Sequence, residues 1–380
     1  MKELSWTVRL LLVNQFGVNT GFYLLVPYLA GHLTGNLGLS AAVTGVILGV
    51  RNLSQQGLFL IGGSAADRLG ARGVIIAGCA LRTVGFALFA FGATVPLLLA
   101  AAVLSGLAGA LFNPAVRAYV AVAAPDKARA FALFNVFAQA GALCGPVLGG
   151  VLLLVDFRAA ALTAAAIFAV LTVAQALVLP AREVPPSGSS VLGDWRRCLA
   201  DRRFLAFTLA LSGMFALQNQ LYLVLPLAAE QATGTAGSVA LLFLASTVAT
   251  LLFQLRITRW LEAATSRGRA MASGLAVMGA GFLAPALLPG IVPVLVAVLA
   301  LAFGVMMAQP FVYERIGHFG GESLAGTYFG VFYLVSGVVA AASTALVGWA
   351  GAAGAAVCAA IGLGCAAAVL VQERRTAVPA

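Results

Sequence analysis

Along most of the chain apolar residues follow one another without a polar stripe at helical spacing, and formal charges gather in short clusters between those runs. Charge-free stretches reach from Arg9 to Arg51, Arg82 to Arg117, Arg129 to Asp156, Arg158 to Arg182, Arg203 to Glu230, Glu230 to Arg256, Arg269 to Glu314 and Glu322 to Glu373. Each holds one or two segments of about 20 apolar residues, the length that crosses a hydrocarbon core. The pattern predicts twelve helices, near residues 8–32, 40–64, 73–93, 97–120, 130–155, 158–180, 204–229, 237–260, 270–288, 291–313, 325–349 and 352–371. A soluble bundle needs amphipathic stripes with polar outer faces, and a β-barrel needs shorter segments of alternating polarity; neither pattern is present. The first run contains Asn14, Gln15 and Asn19 and is followed by no small-residue cleavage site, so it is expected to remain as the first helix. An all-α integral membrane protein follows, with the lipid bilayer as its main partner.

Composition supports this. Of 380 residues 62% are hydrophobic and 9% charged, with a mean hydropathy of +1.03, which would leave a soluble domain with an apolar surface. The formal net charge of +10 sorts by membrane side. With both termini cytoplasmic, the inner segments collect Lys2, Arg9, Arg68, Arg72, Lys127, Arg129, Arg182, Arg196, Arg197, Arg202, Arg203, Arg256, Arg259, Arg267, Arg269, Arg315, Arg374 and Arg375, and the outer ones only Arg158. Basic residues retained on the cytoplasmic side explain the charge without nucleic acid. Cys79, Cys144, Cys358 and Cys365 fall within predicted helices and Cys198 in a cytoplasmic loop, so neither a disulfide framework nor a metal site is expected. No cofactor is expected either, and a monomer is.

The longest polar connection, Pro180 to Arg203, divides the helices six and six: a half over 1–180, a linker over 181–203 and a half over 204–380. The start of the linker is rich in Pro, Ser and Gly. Its second part, Val191 to Ala200, sets Trp195 among basic residues and is expected to lie along the cytoplasmic interface. The halves are related. YLLVPYLA from Tyr23 matches YLVLPLAA from Tyr222, 199 residues on; Pro114 in FNPAVR matches Pro310 in AQPFVY, 196 on; FALFNVF from Phe131 matches FGVFYLV from Phe329, 198 on. Six helices between copies keep the orientation, giving a parallel repeat about the membrane normal.

Among the few charges, Gly63-Ser64-Ala65-Ala66-Asp67-Arg68-Leu69-Gly70-Ala71-Arg72 stands between the second and third segments. It resembles the major facilitator signature G-x-x-x-D-R-x-G-x-R of the same loop, in which Gly63 allows close helix approach, Gly70 a tight turn, and the charges can pair with one another or with helix ends. Gly141-Ala142-Leu143-Cys144-Gly145-Pro146-Val147-Leu148-Gly149-Gly150 resembles the G-x-x-x-G-P-x-x-G-G pattern of that superfamily's antiporters and exporters. The whole chain resembles its twelve-helix drug:proton antiporters of the MdtH-like kind, with LRTVGFALFAFG and GALFNPAVRA in support. The resemblance implies a small-molecule substrate, protons as coupling ion, and a bacterial cytoplasmic (inner) membrane location. It makes Gly63, Asp67, Arg68, Gly70 and Arg72 a latch on the inside, and Gly141, Gly145, Pro146, Gly149 and Gly150 a hinge of small residues with a proline bend. Two departures stand out: LSGLAGALFNP lacks an arginine that such exporters often have in the fourth helix, and RITRWLEAATSRGRA in the second half lacks the glycine-aspartate frame. An asymmetric latch is therefore expected.

Polar groups at bilayer depth are costly and face a cavity or another helix. Gln15, Asn19 and Tyr23 share a helical face; Gln218 and Tyr222 repeat the last two, and Asn113 with Gln309 is a second matched pair. In the family the first, fourth, seventh and tenth helices line the central cavity, which makes these substrate contacts; the other reading is that amides join helices. Arg51, with Gln55 one turn on, needs water, a carbonyl or an anion, and serves either a substrate carboxylate or phosphate or a protonation-dependent switch. Gln139 and Tyr333 complete the set. Arg82 is as well explained by structural pairing. No Asp or Glu lies in the middle of a predicted helix, so proton coupling falls to Asp67, Asp126, Glu314, Glu230, Asp156 or His32. Nucleotide loops, metal clusters and nucleophile triads are missing, which argues against an enzyme. The sequence leads to an exporter of a small amphipathic or lipophilic compound. Its rivals are a narrow-specificity metabolite or lysolipid carrier, uncoupled or importing, and a non-transporting receptor or scaffold.

Overall fold

The computed structural model describes residues 5–181, 190–222, 224–235 and 237–377, without the side chains of 41, 237, 352 and 375–377. Lys2, Arg182 and most of the expected flexible linker, with the side chain of Arg375, lie outside the described residues. Every regular element among the described residues is helical. In chain order they are α1 (Trp6–Gly31), α2 (Ala41–Gly57), α3 (Phe59–Leu69), α4 (Ala71–Phe91), α5 (Val95–Ala123), α6 (Lys127–Leu153), α7 (Phe157–Val178), α8 (Val191–Ala200), α9 (Arg202–Asn219), α10 (Val224–Thr233), α11 (Gly237–Ala264), α12 (Arg267–Leu287), α13 (Ile291–Gly320), α14 (Ala325–Ala350) and α15 (Gly354–Ala377).

Eleven helical stretches of the described residues are long and apolar enough to cross a membrane. The twelfth crossing is α2 with α3, which the sequence pattern predicts as one helix over 40–64. It breaks at Leu58 (φ −103°, ψ 5°), directly after Gly57, whose missing side chain weakens a helix interior. Its second piece runs on to Leu69 and takes Asp67 and Arg68 onto the helix. The seventh predicted helix likewise divides: α9 ends at Asn219, a 3₁₀ turn spans Gln220–Tyr222, and α10 follows. The first helix closes in a π turn, His32–Asn36.

The chain forms two compact units. One comprises Met1–Pro125, Phe137–Cys198 and Ile316–Leu334; the other Asp126–Val136, Leu199–Arg315 and Val335–Ala380. In the first, α2 lies on α5 where α5 has glycines: a Cβ on Gly106 would stand 2.4 Å from the Arg51 carbonyl oxygen. The second half of α6 crosses α1 in the same way, through Gly141, Gly145 and Gly149, whose added Cβ atoms would stand 2.3, 2.8 and 2.3 Å from the carbonyl oxygens of Phe16, Thr20 and Leu24. Backbones approach that closely only where a side chain is missing, which is how helices pack in lipid. Phe86 and Phe168 meet edge to face at 5.3 Å, and a buried Gln175 amide donates to Asn14 Oδ1 at 2.6 Å and Cys79 Sγ at 3.4 Å. In the second unit α12 packs on α15 at Gly279 and Gly362, and Gln254 joins Asn135 on α6 to the Met306 carbonyl on α13.

Candidate functional site

The loop between α3 and α4 turns at Gly70, whose φ of +84° strains any residue with a Cβ. Just before it, Asp67 points its carboxylate at the first turn of α14. The amide of Gly326 donates to Oδ1 at 2.7 Å and that of Thr327 to Oδ2 at 2.6 Å. These are two of the amide donors a helix leaves open at its positive end, so the carboxylate caps α14 from another part of the chain. Gly63 makes the approach possible, since a methyl group there would lie 2.0 Å from the Gly326 carbonyl oxygen. Burial pushes the Asp67 carboxyl from 3.8 up to about 6 against the opposing pull of these hydrogen bonds.

Arg68 turns the other way and pairs with Asp194 of α8 at 2.5 Å, where the Asp194 side chain is 3% exposed and that of Arg68 32%. Trp195 Nε1 donates to Ser64 Oγ at 2.6 Å, and Ser64 Oγ lies 3.4 Å from Thr327 Oγ1. Arg72 donates to the Ala176 carbonyl of α7 at 2.6 Å. The linker helix thus docks on the loop through Asp194 and Trp195 while presenting Arg196 and Arg197 outward. Sequence alone does not mark Asp194 or Ser64 as partners of this loop. The only usable signal was one acidic residue inside a basic amphipathic helix.

At membrane depth the first unit holds three polar groupings. Gln15 Nε2 donates to Asn19 Oδ1 at 2.8 Å within α1, and Asn19 Nδ2 donates to the Ala138 carbonyl of α6 at 2.8 Å. Tyr23, half-buried, stands against Phe22 and beside Gly145, and Tyr28 donates to the Pro146 carbonyl at 2.7 Å. Gly150 lies under the same tyrosine. Second, Arg51, Gln55 and Arg82 converge around Phe22 and Gly109. Third, Arg117 Nη1 donates to Asn113 Oδ1 at 3.3 Å and its carbonyl at 3.1 Å, and the guanidinium lies 5.2 Å over the Tyr333 ring, itself packed on Phe59. Sequence alone does not single out Arg117, which bounds a charge-free run, although it stands one turn after Asn113. Gln139 is half-buried on α6.

In the second unit Gln218 ends α9, Gln309 donates to Tyr313 at 3.1 Å, and Tyr222 is 64% exposed on its 3₁₀ turn beside Phe243. The acids differ in setting. Glu314 lies 3.5 Å from Arg267. Asp126 and Asp156 accept amide hydrogen bonds at helix starts, from Arg129 at 3.0 Å and Ala159 at 2.5 Å. Glu230 is exposed on α10, and His32 stacks on Phe157 with ring centroids 3.6 Å apart. No group of three His, Cys, Asp or Glu able to hold a metal occurs among the described residues. In the second-half loop Ser266 caps α12 through the Arg269 amide, and its hydroxyl donates to the Glu373 carboxylate of α15.

Comparison with known proteins accords with this architecture. The sequence model of the Major Facilitator Superfamily matches residues 11–344. The uncharacterized MFS-type transporter Rv0849 of Mycobacterium tuberculosis is 42% identical over 344 residues, covering 87% of this chain and 82% of that one. Multidrug resistance protein MdtH of Photorhabdus laumondii is 31% identical over 323 residues, 84% and 80% of the two chains. Among solved structures, the E. coli fucose:proton symporter FucP superposes with a TM-score of 0.77 at 19% identity over 98% of each chain, and the human organic anion transporter MFSD10 with 0.68 at 17% over 96% and 97%. At those identities the likeness speaks for the fold alone. The chain belongs to the major facilitator superfamily and is a multi-pass membrane transporter, not an enzyme, built as twelve transmembrane helices in two pseudo-symmetric six-helix halves.

Proposed function

We propose that this transporter exports a small amphipathic or lipophilic compound across the bacterial cytoplasmic membrane, as a monomer with both termini inside, in exchange for protons. The observation that supports it most is the Asp67 carboxylate on the amides of Gly326 and Thr327, a contact between the six-helix halves 1–180 and 204–380 that must part for the inner side to open. In alternating access the halves rock about a midplane site, and this latch holds while the substrate leaves outward. The relatives named multidrug resistance protein MdtH support export of varied compounds. Substrate contacts are assigned to Asn19, Tyr23, Arg51, Gln55, Asn113, Gln139, Gln218, Tyr222, Gln309 and Tyr333, and bending to the glycine face around Pro146. Of the acids, Asp67 is the favoured proton-linked group because its buried carboxyl titrates near 6.

Inside-out vesicles with an acid interior test this. Dyes, antibiotics and metabolites are added in turn while internal pH is recorded. A compound that partly collapses the gradient only when the protein is present establishes proton-coupled export and names a substrate. A flat response to the whole panel, with substrate uptake measured independently of pH, overturns the coupling.

A further inference from the structure

We infer that Arg51 and Arg82 together bind an oxyanion, a carboxylate, phosphate or sulfonate carried by an amphipathic molecule; this deepens the transport reading and rests on it. Arg51 is 9% exposed and Arg82 5%, on α2 and α4. Their guanidinium carbons lie 5.3 and 5.4 Å from the centroid of the same Phe22 ring, and Arg82 also lies 5.3 Å from that of Phe168. Gln55 and Arg82 close over Gly109, where an added Cβ would meet Arg82 Nη2 at 2.7 Å and Gln55 Oε1 at 2.9 Å. The site is thus built by five helices, with Phe22 from α1, Arg51 and Gln55 from α2, Arg82 from α4, Gly109 from α5 and Phe168 from α7, and the glycine lets the two polar side chains lie close against α5.

What the cluster lacks is a counter-charge. No Asp or Glu occurs in α1, α2, α4, α5, α6 or α7. Arg51 donates from Nη2 to Asn52 Oδ1 at 2.6 Å, but its Nε and Nη1, and Nε of Arg82, are buried without a hydrogen-bond acceptor among the described residues. Each guanidinium has five donors in a planar fork. Aromatic faces offset part of the charge and accept none of these hydrogen bonds, whereas an unpaired cation buried in the bilayer is strongly disfavoured. Two like charges on one ring also repel. An oxyanion removes both deficits at once: it neutralises the pair and accepts from the free Nε and Nη positions in the bidentate geometry guanidinium groups favour. A neutral compound can accept hydrogen bonds but leaves the charge uncompensated, and a cationic one adds to the repulsion. The substrate class that fits is therefore an amphipathic acid whose apolar part lies against Phe22 and Tyr23.

The test uses the purified full chain in phosphatidylcholine nanodiscs with two fluorescent probes of matched shape: 1-anilinonaphthalene-8-sulfonate and the uncharged N-phenyl-1-naphthylamine. The sulfonate is expected to bind saturably and to be displaced by decyl phosphate or decanoate but not by decyltrimethylammonium. Arg51→Gln and Arg82→Gln should each weaken it at least about tenfold, Arg51→Lys less, with the neutral probe changed less than about twofold. Unchanged sulfonate binding in both Gln variants, or parallel loss of both probes, overturns the assignment. If the Gln variants do not fold, displacement from the unaltered chain decides: equal competition by decyl phosphate and decyltrimethylammonium overturns it. Competition by phosphatidylglycerol added to the discs assigns the oxyanion to a lipid headgroup, and indifference to it assigns a compound from solution. Because binding needs no gradient, a vesicle experiment without proton movement leaves this site standing. Gradient collapse by cations alone would keep the transport reading and remove the site.

Discussion

At Asp67 burial and hydrogen bonding from Thr327 and Gly326 pull the carboxyl in opposite directions, and burial wins, pushing it from 3.8 up to about 6. A raised carboxylate means that the latched state binds a proton more readily than the released one. Its contribution to latching is full below about pH 4 and fades as pH rises through 6. Spin labels at the exposed positions Leu69→Cys and Glu322→Cys should therefore report a growing long-distance population in double electron–electron resonance between pH 5 and 7.5. Asp67→Asn removes the titrating group and keeps one of the two acceptors, since an amide nitrogen cannot accept, so it should abolish that pH dependence and weaken the latch less than loss of both acceptors does, with turnover reduced several-fold and substrate affinity changed less than about twofold. A large loss of affinity at normal turnover would contradict the gating role. Asp67→Ala removes both acceptors and should lengthen the distance at every pH. The loop is legible as a unit because five charged or glycine residues, Gly63, Asp67, Arg68, Gly70 and Arg72, at fixed spacing are rare in such a chain. Its acceptor geometry is not, because the partner amides lie 259 and 260 residues away.

Helix packing here depends on where side chains are missing. Gly63→Ala places a methyl group 2.0 Å from the Gly326 carbonyl oxygen, in backbone that cannot rotate aside. Overpacking of this kind costs about 1–3 kcal/mol, so the variant should melt several degrees lower and favour the unlatched arrangement, read by the same label pair. The linker helix α8 gives a second expectation. Asp194 is nearly fully buried against Arg68, so Asp194→Asn leaves a half-exposed arginine without its anion and should free the helix. Trypsin should then cut after the exposed Arg196 and Arg197 several-fold faster; an unchanged rate would show that Trp195 alone holds the helix. Trp195 among basic residues marks α8 in the sequence as a segment apart from the crossings. Its docking face is not marked there, because the same pattern suits a membrane surface and a protein surface equally.

Over the whole molecule, orientation rests on where the basic residues lie. On a chain whose native cysteines are replaced, an impermeant maleimide should label Val155→Cys in intact cells and Ala264→Cys only after permeabilisation; the reverse would invert the assignment of both termini to the inside. The repeat between Tyr23 and Tyr222 is plain in the sequence, yet the structure treats the two copies differently: Tyr23 is half-buried within α1, whereas Tyr222 is 64% exposed on a 3₁₀ turn where the helix is interrupted. The apolar crossings, their number and the family are readable from sequence alone, whereas the interruptions at Leu58 and at Gln220–Tyr222 are not. Transfer of an apolar segment into lipid is a local sum over about 20 residues, and glycine-charge spacing in one loop needs no distant partner. Tertiary structure alone decided which donors meet which acceptors: that Asp67 caps α14, that Arg68 finds Asp194, and that Arg51 and Arg82 share one phenylalanine without a carboxylate. Such pairings depend on which backbones come close, and in lipid that is set by the fit of glycine faces between helices far apart in the chain.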